Sequence, residues 1–285
     1  MSPMSPRLLR PRSTGFHPEA QAWRNAVIAN GGTVSGSTLT AVSKFCFAID
    51  AAGIRDRFFR LNLFCGDFTA ALVPLFRGQS RTGTQYGNTT DTNVNFVSGD
   101  YVETGSGGGL VGNGTTKGLR TGVLDSSAIG MATSAHISSY VLAHSTSNLR
   151  QDVGNTNTDA NTHRCTLQSG GLGDYQFLHN SATSPAAVVT SGSRTPAMYV
   201  GTGQATTANI YKNGTLAAGP TTVTQRSMFS WPFHVFAAAN SANTLSAFSN
   251  ARLAAYSFGP FMTDTQVAAF YTAMQAFQTS LGRNV

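Results

Sequence analysis

The pattern of apolar and polar positions changes character twice along the chain. In residues 1–16, Pro3, Pro6 and Pro11 alternate with Arg7, Arg10 and Arg12, and Leu8 and Leu9 are enclosed by arginines. Proline fixes extended or polyproline backbone, and nothing here repeats with a period that would bury a face, so the pattern predicts an extended arm. Pro18, Glu19 and the Asn30-Gly31 pair then bracket a helix over about 18–30. A second helix is expected after Ser37 or Thr38 as cap. Leu39, Val42, Cys46 and Ile49 step by three, four and three, which is one helical face, and Gly53 ends it. Cys46 lies in that stripe and reads as a small core residue, with Trp23 and Phe45 as anchors of the helical pair or of a neighbouring surface.

From about residue 86 the texture becomes short apolar or alternating runs between turn clusters: NVNFV, HISSYVL, YQFLH, AAVVT, AMYVG, NIYK, FHVFAAA and ARLAAYSFG. Short strands without intervening helical periodicity predict an all-β sandwich or jelly roll, whereas helices between strands would predict a parallel sheet. Asn213-Gly214 between NIYK and Thr215-Leu216 is a two-residue hairpin signal, because a type I′ turn needs positive φ at both positions. The last element is helical: Thr263-Asp264-Thr265-Gln266 reads as a capping box, Val267, Phe270, Tyr271, Met274 and Phe277 form an apolar face, and Gly282 stops it. The expected organisation is therefore an arm (1–16), a helical attachment region (17–85) and a mainly β sandwich with a C-terminal helix (86–285).

Composition sharpens this picture. Only 11% of the 285 residues are charged, against about 25% in ordinary soluble domains, and Gly, Ser, Thr and Asn stand in their place. Such a composition suits strands and turns more than solvated helices. The net charge of +7 is uneven: residues 1–85 hold ten Lys/Arg and four acids, the remainder nine and eight. Sixteen of the nineteen cations are Arg, whose planar fork suits carboxylate, phosphate or aromatic partners. Arg7, Arg10 and Arg12 in the arm, with Arg55, Arg57 and Arg60 beside Phe58 and Phe59, are the expected partner-binding residues. The second group fits nucleic acid or a protein interface equally, but the large C-terminal part carries no basic stripe, which speaks against nucleic acid. Cys46, Cys65 and Cys165 are odd in number and widely spaced, so neither a disulfide framework nor a zinc knuckle is expected. No run approaches the roughly 18 apolar residues of a membrane helix, and none near the start suits a secretory signal.

Chemistry-bearing constellations are sparse. Glu19 and Glu103 are the two glutamates, with no Glu-x-Asp-x-Glu. The six histidines form no HxH or HExxH, and a Ser-His-Asp set is not visible in spacing. GSGGGLVGNG at 105–114 lacks the Lys-Ser/Thr ending of a phosphate loop and reads as a flexible connection. Asp152, Asn155, Asn157 and Asp159 could crowd a calcium ion, but a polar turn is the expectation. The sequence-based expectation is thus a protein that is not an enzyme and carries no metal or cofactor.

The order of Tyr211-Lys212-Asn213-Gly214, the runs at 233–239 and 252–259, and the capped helix after them resembles the C-terminal half of concanavalin A-like, laminin-G-like jelly rolls, over roughly 90–282. The longer texture, WRNAVIANGGTVSG through IRDRFFRLNLFCG, ALVPLFRG, NFVSGDY and GLVGNGTTKGL, looks like virion proteins of tailed bacteriophages. The resemblance implies a structural protein of a phage particle, a head decoration or a fibre or tail component, made in the host cytoplasm and carried on the virion. Its implied partners are other virion proteins and copies of itself, with no membrane. The alternative is an adhesin that binds a host-surface glycan, with Trp231, Tyr175 and Tyr199 expected to stack on sugar. A hydrolase with a dispersed site is the third reading.

Overall fold

A computed structural model of the chain describes residues 15–124, 130, 131, 133–156, 164–170, 173–179, 188–223, 232–240 and 242–285. The arm with Arg7, Arg10 and Arg12 lies outside the described residues, as do Trp231, Asn157 and Asp159.

Local signals set the helices. Helix α1 (Pro18–Ala29) starts on its proline, with His17 as cap accepting from the Glu19 amide. Helix α2 (Gly36–Ala51) begins earlier than expected, because Ser35 takes the Thr38 amide at 3.1 Å and is the cap. The stripe Leu39, Val42, Cys46 and Ile49 is fully buried, and burial pushes the Cys46 thiol up. A short helix α3 (Phe68–Ala71) follows. Helix α4 (Asp264–Ser280) has the expected capping box, Thr263 and Gln266 each satisfying the other's backbone amide.

The strands form two antiparallel sheets. The first runs β13 (Thr215–Thr222), β12 (Thr207–Lys212), β11 (Ala197–Gln204), β6 (Ser134–Ala143), β17 (Arg252–Gly259), β4 (Gly109–Val111) and β3 (Tyr101–Val102). Strand β1 (Arg60–Asn62) joins β17 at the end of it that β4 leaves open. The second runs β10 (Val188–Ser193), β9 (Asp174–His179), β8 (Arg164–Ser169), β7 (Gln151–Thr156), β14 (Pro232–Val235), β5 (Gly118–Leu124) and β2 (Thr92–Val94). A ribbon of β15 (Ala238–Ala239) and β16 (Leu245–Ser246) lies beside it. The mainly β sandwich expected from the sequence is what the chain forms. Two details differ: β4 occupies the 105–114 segment read as a flexible connection, and Asp152 and Asn155, read as a polar turn, belong to β7.

The first sheet is covered on both faces. Ala135, Ile137 and Val141 of β6 face the second sheet with Leu167, Phe177 and Phe233, whereas Tyr140 points out towards α1, α2 and α4 with Met198, Val200, Tyr211, Ala254 and Ala255. A strand buried on both sides reads as one apolar run, which is why HISSYVL and AMYVG show little alternation. Leu253 and Tyr256 both face the inner core despite their odd spacing, because a register shift between Leu253 and Ala255 resets the alternation. Gly201 of β11 is required by close approach: an added Cβ would meet the Phe177 ring at 2.2 Å. The C-terminal tail is stitched into this assembly by Arg283, which donates to the Phe64 and Leu63 carbonyls at 2.7 and 3.1 Å.

Candidate functional site

Several residues singled out from the sequence are spent on the interior. Tyr175 and Tyr199, expected to stack on sugar, are both 0% exposed, with ring centroids 4.4 Å apart. Tyr175 donates to Asp152 Oδ2 at 2.9 Å, and Tyr199 donates to the Thr195 carbonyl at 2.8 Å. Alternation along β9 and β11 turns both rings into the space between the sheets, where no ligand reaches them. Asp152 accepts from Ser249 as well, at 2.5 Å. Burial raises its pKa to about 6, with the Ser249 and Tyr175 hydrogen bonds pulling it back.

Arg55, Arg57 and Arg60 do not form one surface. Arg60 is wholly buried: it donates to Asp91 Oδ1 at 2.6 Å and to the Tyr86 and Asn88 carbonyls, while Tyr256 and Asn62 hold the rest of the Asp91 carboxylate. Its strand, β1, is part of the first sheet, so its side chain is drawn inside. Arg57 pairs with its neighbour Asp56 at the surface. Arg55 lies in a cleft beside α1, donating to both oxygens of Glu19 at 2.8 and 3.0 Å and resting 3.8 Å from the Phe76 ring centroid. There His17, Glu19 and Asp50 bring ligand-type atoms within 4.8 Å of one another. Arg81 reaches Asp50 and, at 3.4 Å, Glu19, so arginines already supply the positive charge a cation would bring.

One histidine meets serines. His136 Nε2 is 3.0 Å from Ser257 Oγ, which is 2.6 Å from Ser138 Oγ, and His136 Nδ1 contacts the Pro260 carbonyl at 2.8 Å. The group is sealed beneath Phe58 and Phe270, and burial lowers the His136 pKa to about 4.

The open polar surface lies elsewhere, at one end of the sandwich. A shallow depression of about 330 Å³ is lined by Val94, Asn95, Thr115, Thr116, Arg120, Thr244, Leu245 and Phe248. Four chain segments build it: the end of β2, the 112–117 loop into β5, the β15–β16 turn and the stretch after β16. Asparagines lock these loops from within. Asn113 Oδ1 accepts from the amides of Thr115, Thr116 and Lys117 at 2.9 to 3.1 Å, and Asn240 Oδ1 accepts from those of Ala242 and Thr244. Asn95, at φ 65°, ties its loop to the Thr116 carbonyl at 2.9 Å. Arg120 spends one nitrogen on Asn243 Oδ1 at 3.0 Å and keeps the rest of its fork. The rim thus offers threonine hydroxyls and a guanidinium around a half-buried phenylalanine ring, on backbone that is already fixed. None of these residues stands out in the sequence; NVNFV, GNGTT and NSANT read only as strand ends and turns, with no signal that they meet.

No family model and no curated protein matches the chain. Among solved structures it is similar to a Trypanosoma rangeli sialidase in complex with 2,3-difluorosialic acid, at 10% identity over 89% of this chain and 37% of that one, with a TM-score of 0.49. It is similar to domain 4 of AbnA, a GH43 extracellular arabinanase from Geobacillus stearothermophilus in complex with arabinotriose, at 14% identity over 65% and 85%, TM-score 0.43. It is also similar to the receptor binding domain of a botulinum neurotoxin C/D mosaic serotype, at 10% identity over 77% and 52%, TM-score 0.51. The chain therefore spans 37% of the sialidase's length and about half of the toxin domain's. These likenesses concern the fold. The sequence-based expectation of a protein that is not an enzyme does not stand: the solved structures similar to this chain include sialidases, and a missing Glu-x-Asp-x-Glu excludes one catalytic arrangement only. None of these three similarities bears on a phage particle.

Proposed function

We propose that this protein is a carbohydrate-recognition β-sandwich that binds glycan at the loop end of its two sheets. The observation that carries the reading is the depression around Phe248, where Thr115, Thr116, Thr244 and Arg120 offer hydroxyls and N–H groups on asparagine-locked loops. Sugars present alternating apolar C–H faces and hydroxyl edges, so an aromatic ring framed by threonine hydroxyls and one guanidinium fork matches them. A preformed backbone adds affinity, because little ordering is left to be done on binding. The toxin neighbour, named as a receptor binding domain, supports a recognition role for this sandwich. The setting we propose is the surface of a tailed-phage particle, on the textural resemblance of the chain, with many copies raising a weak single-site affinity by avidity. Proteomic analysis of purified particles tests that setting.

A glycan array with the full chain tests the reading itself. The wild type is expected to retain a defined set of glycans, and Phe248→Ala to lose at least tenfold in affinity with an unchanged melting temperature. Retention of no glycan, or equal binding by Phe248→Ala and Arg120→Ala, would overturn it.

A further inference from the structure

A second cavity, sharing no residue with the loop-end depression, lies against α1. It holds about 200 Å³ and is lined by Glu19, Trp23, Arg55, Leu75, Arg77 and Arg81, among others. Three guanidinium groups around one small space need counter-charge, and two have it. Arg55 forks onto Glu19, and Arg81 reaches Asp50 and Glu19. Arg77 has none: its side chain is half-buried at the cavity and meets no acceptor among the described residues. Burial first, and the like charge of Arg60 second, press on its charged form. The remaining wall is mixed. Trp23, whose indole N–H is tied to the Val73 carbonyl at 2.9 Å, stands with Ala22, Ala26, Pro74 and Leu75 as the apolar part, and Ser80 and Gln85 as the polar part.

We infer that this cavity binds a small hydroxylated monocarboxylate of about the size of a uronic acid, its carboxylate on the Arg77 fork and its ring against the apolar wall at Ala22 and Ala26. Three magnitudes select that class. One uncompensated positive charge matches one negative charge, so a dianionic phosphate would leave an excess in a partly desolvated site. Two parallel N–H···O bonds from a guanidinium suit a planar carboxylate. The volume falls below the roughly 300 Å³ at which drug-sized pockets begin, which limits the ligand to about a single ring. The inference is independent of glycan binding at the loop end.

Calorimetric titration of the full chain at 150 mM salt tests it, with glucuronate, glucose and inorganic phosphate as probes. Glucuronate is expected to saturate at one per chain, glucose to give no saturable heat, and phosphate to bind at least tenfold more weakly. Arg77→Gln should abolish glucuronate binding, and Arg77→Lys, which keeps the charge but loses the fork, should weaken it about tenfold. Lys212→Gln removes the same charge at a residue that does not line the cavity and should change nothing. The inference is overturned if glucuronate fails to saturate, if glucose or phosphate binds as tightly, or if both Arg77 variants bind glucuronate like the wild type.

Discussion

Arg60 and Asp91 have no exposed side-chain surface and lie 2.6 Å apart, with Tyr256 donating to the same carboxylate. Removing one partner of such a pair strands the other charge in the interior, which costs about 3 to 5 kcal/mol, more than the pair adds over an apolar replacement. Asp91→Asn is therefore expected to lower unfolding free energy by that amount, read from urea denaturation; a loss under 1 kcal/mol would show that water reaches the guanidinium. Composition shows an arginine between Phe59 and Leu61, but its burial follows from β1 joining β17, a pairing with a strand almost 200 positions away. The same holds for Tyr175, between Asp174 and Gln176, and Tyr199, between Met198 and Val200, whose neighbours fit a surface aromatic as well as an interior one.

The hairpin between β12 and β13 is legible because its signal is local. Asn213 and Gly214 both take positive φ, 49° and 76°, as a two-residue I′ turn demands. Gly214 also lies under α4, and an added Cβ would sit 3.0 Å from Tyr271. Gly214→Ala should thus cost about 1 to 2 kcal/mol from backbone strain, with the Tyr271 contact adding to it, whereas a loss of a few tenths in thermal denaturation would mean the turn relaxes freely. At the start of α4, Thr263→Ala removes the cap and should cost about 1 kcal/mol, with Thr263→Ser restoring most of it. If Ser does not rescue, the hydroxyl is not what holds that helix end.

At the scale of the whole molecule, buried histidines set the response to acid. His136, His144 and His179 are depressed to about 4 and His234 to about 3, in each case first by burial. Their unfolded value is 6.5, so the stability they confer is full above that pH and is lost as pH falls towards 4. Asp152 acts oppositely: its pKa is raised to about 6, so its contribution is present below the unfolded value of 3.8 and lost as pH rises through 6. Four groups against one decide the sign. The melting temperature should fall by at least ~10 °C between pH 7 and pH 4, measured by scanning calorimetry; a flat or rising profile would mean these rings are not held neutral by the core.

What the sequence determined by itself were the features set by neighbours within a few positions: the proline-started α1, the stripe of α2, the Asn213-Gly214 turn, the capping box of α4, and a mainly β texture between them. Backbone dihedral preferences and side-chain capping act over one or two turns, so their signals survive without knowledge of the fold. Only the tertiary structure decided which face each strand turned inward, because β6 and β11 are buried on both sides and a bulge in β17 resets its alternation. It also decided that Arg55, Arg57 and Arg60 part company, that Arg77 is left without a counter-charge beside Trp23, and that four loops from distant positions meet around Phe248. Those groupings depend on strand order across two sheets, and strand order is set by packing energies summed over the whole core, which no local run of residues encodes.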